Sequence, residues 1–456
     1  MPHLAGKISR LRRRRAATSP PPARAPRRQR TPLQHDLAWH WTFVVLGLLL
    51  AIAGYCWYVS ARIIREPINV EFGPSDPKFA AALGPLLGAE FTGGNRIDIL
   101  QNGDEFFPSM LDAIRHAEHS VTLETYIWSS GRISDEFIDA LTERARHGVA
   151  VDVLLDGMGT LKFKREDRER LVRAGVQVLK YGREHWYEIK PNINHRTHRK
   201  LLIVDGRIGF TGGMCIDDRW AGHAQSPKVW RETEVRVEGP VVREMQGVFA
   251  TNWLQTSGRI LVGEAYFPAL HRAGVEIAQC FRSGPGEGAE SARTSYLLAI
   301  ASARRSIDIT HAYFVPDDLA TQMLVAALHR GVRVRVIVPA INDSRFGRAA
   351  SRSRWGPLLA AGAEFHLYEP AMLHCKTMVV DDTFVSVGSV NFDNRSFSIN
   401  DEDALNAIDP SLAREFEHDF ARDLAQSRRL TQHDYDQRPA YTKAADWFCG
   451  LFRSQL

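Results

Sequence analysis

Two stretches of this chain repeat one another, and that duplication limits its fold more than any single motif. MLDAIRHAEHSVTLETYIW (110–128), RARHGVAVDVLLD (144–156) and RAGVQVLKY (173–181) recur in the same order as LLAIASARRSIDITHAYF (297–314), ALHRGVRVRVIVP (327–339) and AAGAEFHLYEP (360–370). Ser120 then matches Ser306, Gly148 matches Gly331 and Tyr181 matches Tyr368. Each copy alternates helical stretches with short Val/Ile/Leu runs of the kind buried on both faces of a parallel sheet, so two fused α/β domains are expected.

The repeat continues into HRKLLIVDGRIGFTGG (198–213) and HCKTMVVDDTFVSVGS (374–389). Both read His, one residue, Lys, four residues, Asp. Side chains alternate on an extended chain, so His198 and Lys200 share a face, as do His374 and Lys376. An imidazole beside an ammonium suits a phosphodiester: the ammonium neutralises phosphate oxygens while the imidazole attacks phosphorus or passes a proton.

On these residues the chain resembles the phospholipase D superfamily, whose signature is a duplicated HxKxxxxD. NINHRTHRKLLIVDGRIGFTGG (192–213), LHCKTMVVDDTFVSVGSVNFDNRSFSINDE (373–402) and SRSRW (351–355) are similar to bacterial cardiolipin synthases. The resemblance spans about residues 96–425. It implies two repeated α/β/α sandwich domains sharing one active site, without metal or cofactor, in which one histidine is phosphatidylated and the other serves as acid and then base. Carried over by position, His198 is the nucleophile and His374 the proton donor. Lys200, Lys376, Asn391 and Ser389 hold the phosphate. A carboxylate is expected on the second nitrogen of each histidine: Glu402 fits in the second half, and aligning WRETEVRVEGP with NDEDALNAIDP offers Glu232 in the first, ahead of Glu234. Asp205 and Asp381 close the motifs and read as turn residues more than as reactants. Cys215 stands where the family often has Asn, and Cys375 is expected on the strand face opposite His374 and Lys376.

Ahead of the repeats, Leu37–Ala61 carries no Asp, Glu, Lys or Arg over 25 residues, enough for a spanning helix. Trp39, Trp41, Tyr55, Trp57 and Tyr58 sit near its ends, where amphipathic rings prefer the interface. Val59–Ala61 resembles a cleavage site, but the apolar run is longer than a signal peptide requires. Residues 1–30 hold ten Lys or Arg and no acid, whereas only Arg62 and Arg65 follow closely. The positive-inside bias therefore puts the amino terminus in the cytoplasm and the catalytic part outside the bacterial plasma membrane. Removing those ten from the chain's 58 basic residues, against 53 acidic, leaves the remainder at net −5. That balance argues against a nucleic-acid partner. Five cysteines without CxxC spacing offer neither a disulfide framework nor a zinc site.

The organisation read from sequence is a basic arm (1–36), a transmembrane helix (37–61), a linker (62–95), one half (96–256), a second linker (257–289), the other half (290–430) and a tail (431–456). The partner expected is a phospholipid, with phosphatidyl transfer between two phosphatidylglycerol molecules ahead of phospholipase D-type hydrolysis, and a nuclease last. Arg345, Arg348, Arg352 and Arg354, with Phe346 and Trp355, are candidates for a head-group contact. Trp186 and Tyr187, on an insertion, and the WFCGLF segment (447–452) are further candidates for the interface.

Overall fold

The computed structural model describes residues 39–51, 64–182, 194–286 and 288–453. The chain divides into two units, Met1–Ile63 and Ile64–Leu456. In the first, residues 39–51 are helical with outward-facing apolar side chains. The rest of the apolar 37–61 segment lies outside the described residues, as do the 1–36 arm and the Trp186–Tyr187 insertion. Among the described residues no helix is long and apolar enough to cross a membrane.

The second unit is built on one mixed sheet of 15 strands among the described residues. The first repeat supplies β1 (Thr92–Gln101), β2 (Ser120–Thr125), β3 (Ala150–Asp156), β4 (Gln177–Tyr181), β5 (Leu201–Val204), β6 (Ile208–Gly212) and β7 (Thr233–Glu238). The second supplies β8 (Glu276–Ser283), β9 (Ser306–His311), β10 (Arg333–Pro339), β11 (Glu364–Tyr368), β12 (Lys376–Val380), β13 (Phe384–Gly388), β14 (Glu402–Ile408) and β15 (Ser427–Leu430). Their order is β15-β11-β10-β9-β12-β13-β14-β8-β1-β7-β6-β5-β2-β3-β4. Outward from the β8–β1 seam, each half therefore repeats one order, with β15 added at an edge. Strands β2, β3 and β4 are parallel, and so are β9, β10 and β11, as the Val/Ile/Leu runs predict. The motif strands β5 and β12 run antiparallel to both of their neighbours.

Helices cover both faces. Leu202 and Val204 of β5 point into a core with Phe106, Phe137 and Leu141, whereas Leu201 and Ile203 point the other way. That opposite layer crosses the seam: it joins Val235, Met245, Phe249 and Trp253 to Val379, Val385, Leu405 and Phe416. Burial of both faces explains why these short strands are so uniformly apolar.

Segments read as linkers are structured. Strand β8 lies within 257–289, where Glu276, Gln279 and Arg282 break up the apolar pattern. Within 62–95 the helix Pro77–Leu87, capped by the Asp76 side chain, packs Phe79, Leu83 and Leu87 into the second half's core. The tail carries a helix, Ala440–Gly450.

Candidate active site

The two motifs enter the site from equivalent loops. His198 N–H donates to the Asp401 carbonyl at 2.8 Å, and His374 N–H donates to the Arg231 carbonyl at 2.8 Å. Each motif thus forms a bridge to the chain just ahead of β14 or β7 in the opposite half, at Thr197–Asp401 and Arg231–Leu373. This exchange decides which carboxylate meets which histidine. His198 Nδ1 lies 2.9 Å from Glu402 Oε2, and His374 Nδ1 lies 2.7 Å from Glu232 Oε2. The pairing runs across the halves, whereas the sequence reading assigned each carboxylate to its own half. Glu234 faces elsewhere: its Oε2 accepts from the Met214 N–H at 3.2 Å, and it contacts neither histidine.

All four motif side chains are buried, with at most 8% of each residue exposed. Lys200 Nζ donates to the His198 carbonyl at 2.5 Å, and Lys376 Nζ donates likewise to the His374 carbonyl. Lysine and histidine of one motif share a face, as alternation predicts. Cys375 points away, with its sulfur near the Arg231 carbonyl and the Thr233 hydroxyl.

The two carboxylates differ in their surroundings. Glu402 accepts from Ser389 Oγ at 2.5 Å and Ser396 Oγ at 2.7 Å. Burial opposes its charge, but the His198 ring, Lys200 and the Ser389 hydroxyl hold its pKa below the ordinary value. Glu232 receives Trp220 Nε1 at 3.3 Å and the Thr233 N–H at 3.0 Å. Burial prevails there and lifts it to about 7, with Lys376 opposing. The repeat explains the difference: Gly213 occupies the place of Ser389, and a Cβ on it would stand 2.5 Å from Glu232 Oε2. Burial also lowers His198 to about 4 and, with Lys376 and Lys200 nearby, brings His374 well below its ordinary value.

Several site residues were not singled out in the sequence. Trp220 and Trp230 pack on the His374 ring at centroid distances of 5.3 and 5.1 Å. Tyr126 lies edge-on to His198 at 4.9 Å, and Tyr313, one place further along the repeat, is 6.5 Å from His374. The signal for them was available: extending the alignment past Cys215/Asn391 sets Trp220 opposite Ser396, and both donate to the carboxylate of their half.

The remaining candidate residues divide between the site and its surroundings. The Ser389 hydroxyl is spent on Glu402 and is fully buried, so it does not face a phosphate. Asn391 lies at the site with Oδ1 unpaired. Cys215, its counterpart, is buried in the apolar core, and burial raises its thiol pKa. Asp205 and Asp381 take no part in the histidine pairs. Asp205 accepts from the N–H groups of Glu118, His119 and Ser120 at 2.7 to 2.9 Å. Asp381 does the same for Arg304, Arg305 and Ser306. Both sit in the left-handed region, φ 51° and 54°. Arg352 and Arg354 are also engaged elsewhere, with Asp446 and Asp318. Among the described residues no cluster of His, Cys, Asp and Glu is set to hold a metal ion.

Residues 110–253 and 296–424 match the family model described as "Cardiolipin synthase, PLD-like domain". The chain belongs to that family. Among its relatives, cardiolipin synthase 1 of Bacillus cereus is 32% identical over 380 residues, covering 80% of this chain and 75% of that one. The cardiolipin synthase of Oceanobacillus iheyensis is 35% identical over 351 residues, covering 77% and 73%. The family fold extends to the crystal structure of phosphatidylserine synthase from Haemophilus influenzae, with TM-score 0.62, 16% identity and coverage of 83% of this chain and all of that one.

Proposed function

We propose that this chain is a membrane-anchored phosphatidyltransferase that makes cardiolipin from two phosphatidylglycerol molecules through a phosphohistidine. The observation that carries the reading is the crossed His–Glu pairing, which gives one site two histidines in unlike electrostatic settings. His198, neutral and oriented by an ionised Glu402, attacks phosphorus through Nε2. The P–O bond to glycerol breaks, and glycerol leaves with the proton held by the His374–Glu232 pair, passed on through His374. The second phosphatidylglycerol then attacks through a glycerol hydroxyl whose proton passes to His374. The P–N bond breaks, releasing cardiolipin and restoring both imidazoles. Glu232, near neutrality in pKa, suits a partner of the histidine that gives and takes this proton. Lys200, Lys376 and Asn391 hold the phosphate oxygens as charge develops.

The apolar 37–61 segment and the ten-to-two excess of basic residues ahead of it support a single anchor with the catalytic unit outside the bacterial plasma membrane. Labelled phosphatidylglycerol incubated with the full chain tests the reaction. Cardiolipin and free glycerol are expected in equal amounts; phosphatidic acid as the chief product would replace the transferase by a phospholipase D-type hydrolase.

A further inference from the structure

The helix Ala440–Gly450 is amphipathic in the wrong sense for a helix on a water-facing surface. Its buried side carries a charge: Asp446 lies beneath it, paired with Arg352 at 2.8 Å and with Arg438. Cys449 and Gly450 also face inward, toward Ala349, Ala350 and Ser353 on and after the neighbouring helix Arg345–Arg352. Its outer side carries Tyr441, Trp447 and Phe448, and the turn that follows adds Leu451 and Phe452, each 46 to 78% exposed. Large contiguous apolar surface of this kind marks a place where something other than water is met.

Two observations say what is met. A cavity of about 310 Å³ opens beside Trp447, lined by Lys443 and by three arginines already in ion pairs, Arg354 and Arg453 with Asp318 and Arg438 with Asp446. Arg345 and Arg348 are exposed on the adjacent helix. Aromatic side chains surrounded by Lys and Arg match an anionic lipid surface, with rings at the acyl boundary and cations at the head groups. The patch also continues to the site. Phe452 meets Phe346 at 6.1 Å, Phe346 lies three residues after Asp343, and Asp343 accepts the hydroxyl of Tyr313 beside His374.

We infer that the outer face of residues 440–453, with Phe346, Arg345 and Arg348, docks on the surface of an anionic phospholipid bilayer and sets the His374 side of the site against it. This rests on the phospholipid reading above and goes beyond it. It assigns the contact with lipid to the carboxy-terminal helix, separately from any anchor at the amino terminus.

The test uses the full chain in phosphatidylglycerol vesicles, with Phe448→Cys, or Tyr441→Cys as a second position, carrying an environment-sensitive dye. Leu161→Cys, on an exposed loop of the first half, is the reference, and the unsubstituted chain gives the labelling background. A blue shift and quenching by acyl-brominated phosphatidylglycerol at 448 or 441, absent at 161, is expected. Trp447→Ser, Phe448→Ser and Phe452→Ser together should raise KM for vesicle substrate about tenfold and leave kcat on a dispersed short-chain phosphatidylglycerol unchanged. Absence of quenching at both positions, or a dye shift that follows protein concentration without lipid, as for a second copy covering the patch, would overturn the inference. Quenching at 448 in a chain that makes chiefly phosphatidic acid would support the docking and remove the transferase; cardiolipin formation without quenching would do the reverse.

Discussion

Glu402, carried by the second half, holds the Nδ1 atom of His198, carried by the first, at 2.9 Å. The same exchange runs the other way between Glu232 and His374. A carboxylate on Nδ1 fixes the tautomer that leaves Nε2 free to react. Glu402→Gln should therefore lower kcat by about 10² to 10⁴-fold with little change in thermal stability. Measurement of steady-state rates beside melting curves checks this, and a KM effect with kcat intact would contradict it.

The pH profile follows from the two settings. His198, lowered to about 4, is neutral and able to attack at any pH above that. Glu232, raised to about 7, keeps its proton below neutrality, within the pair it forms with His374. The rate should rise through an acid limb and fall through an alkaline one, the limbs belonging to the coupled groups. Glu232→Gln should displace the alkaline limb and leave the acid limb in place. If both move together, the two pairs do not titrate separately.

Asp205→Ala and Asp381→Ala should damage folding and spare chemistry. Each removes the acceptor of three backbone N–H groups and puts alanine at positive φ, a cost of about 3 kcal/mol. Urea unfolding should show that loss, while kcat per folded molecule stays within about twofold of the parent.

Arg352→Ala should leave the ratio of cardiolipin to phosphatidic acid unchanged and loosen the carboxy-terminal helix. Its guanidinium holds the buried Asp446, which keeps Arg438 as a second partner, so the loss is about 2 kcal/mol, less than for an uncompensated buried charge. Proteolysis beginning near residue 440 would report it. A changed product ratio would instead place Arg352 among the groups that hold the acceptor.

The repeat alone was enough to read the two α/β halves and the parallel triplets β2–β3–β4 and β9–β10–β11, whereas the site shared by both motifs came from the resemblance to the phospholipase D superfamily. It equated Glu232 with Glu402, yet equivalence within a repeat does not say which copy of the carboxylate approaches which histidine. That depends on the seam where β1 meets β8, a pairing between residues such as Gly93 and Ile277 with no distinctive pattern. Ser389, carried over by position as a phosphate contact, instead turns its hydroxyl onto Glu402 in the chain after β13. Arg352 and Arg354 looked like free cations because their acids, Asp446 and Asp318, are remote in sequence.

The seam has a mechanical consequence. Because each histidine is steered by a carboxylate from across it, any rotation of one half against the other stretches both relays at once. In the proposed mechanism the nucleophile and the proton carrier then depend on the same seam. A disturbance far from the phosphorus, on either flank of the sheet, would switch the two chemical steps off in unison instead of leaving an enzyme able to form its covalent adduct but unable to resolve it.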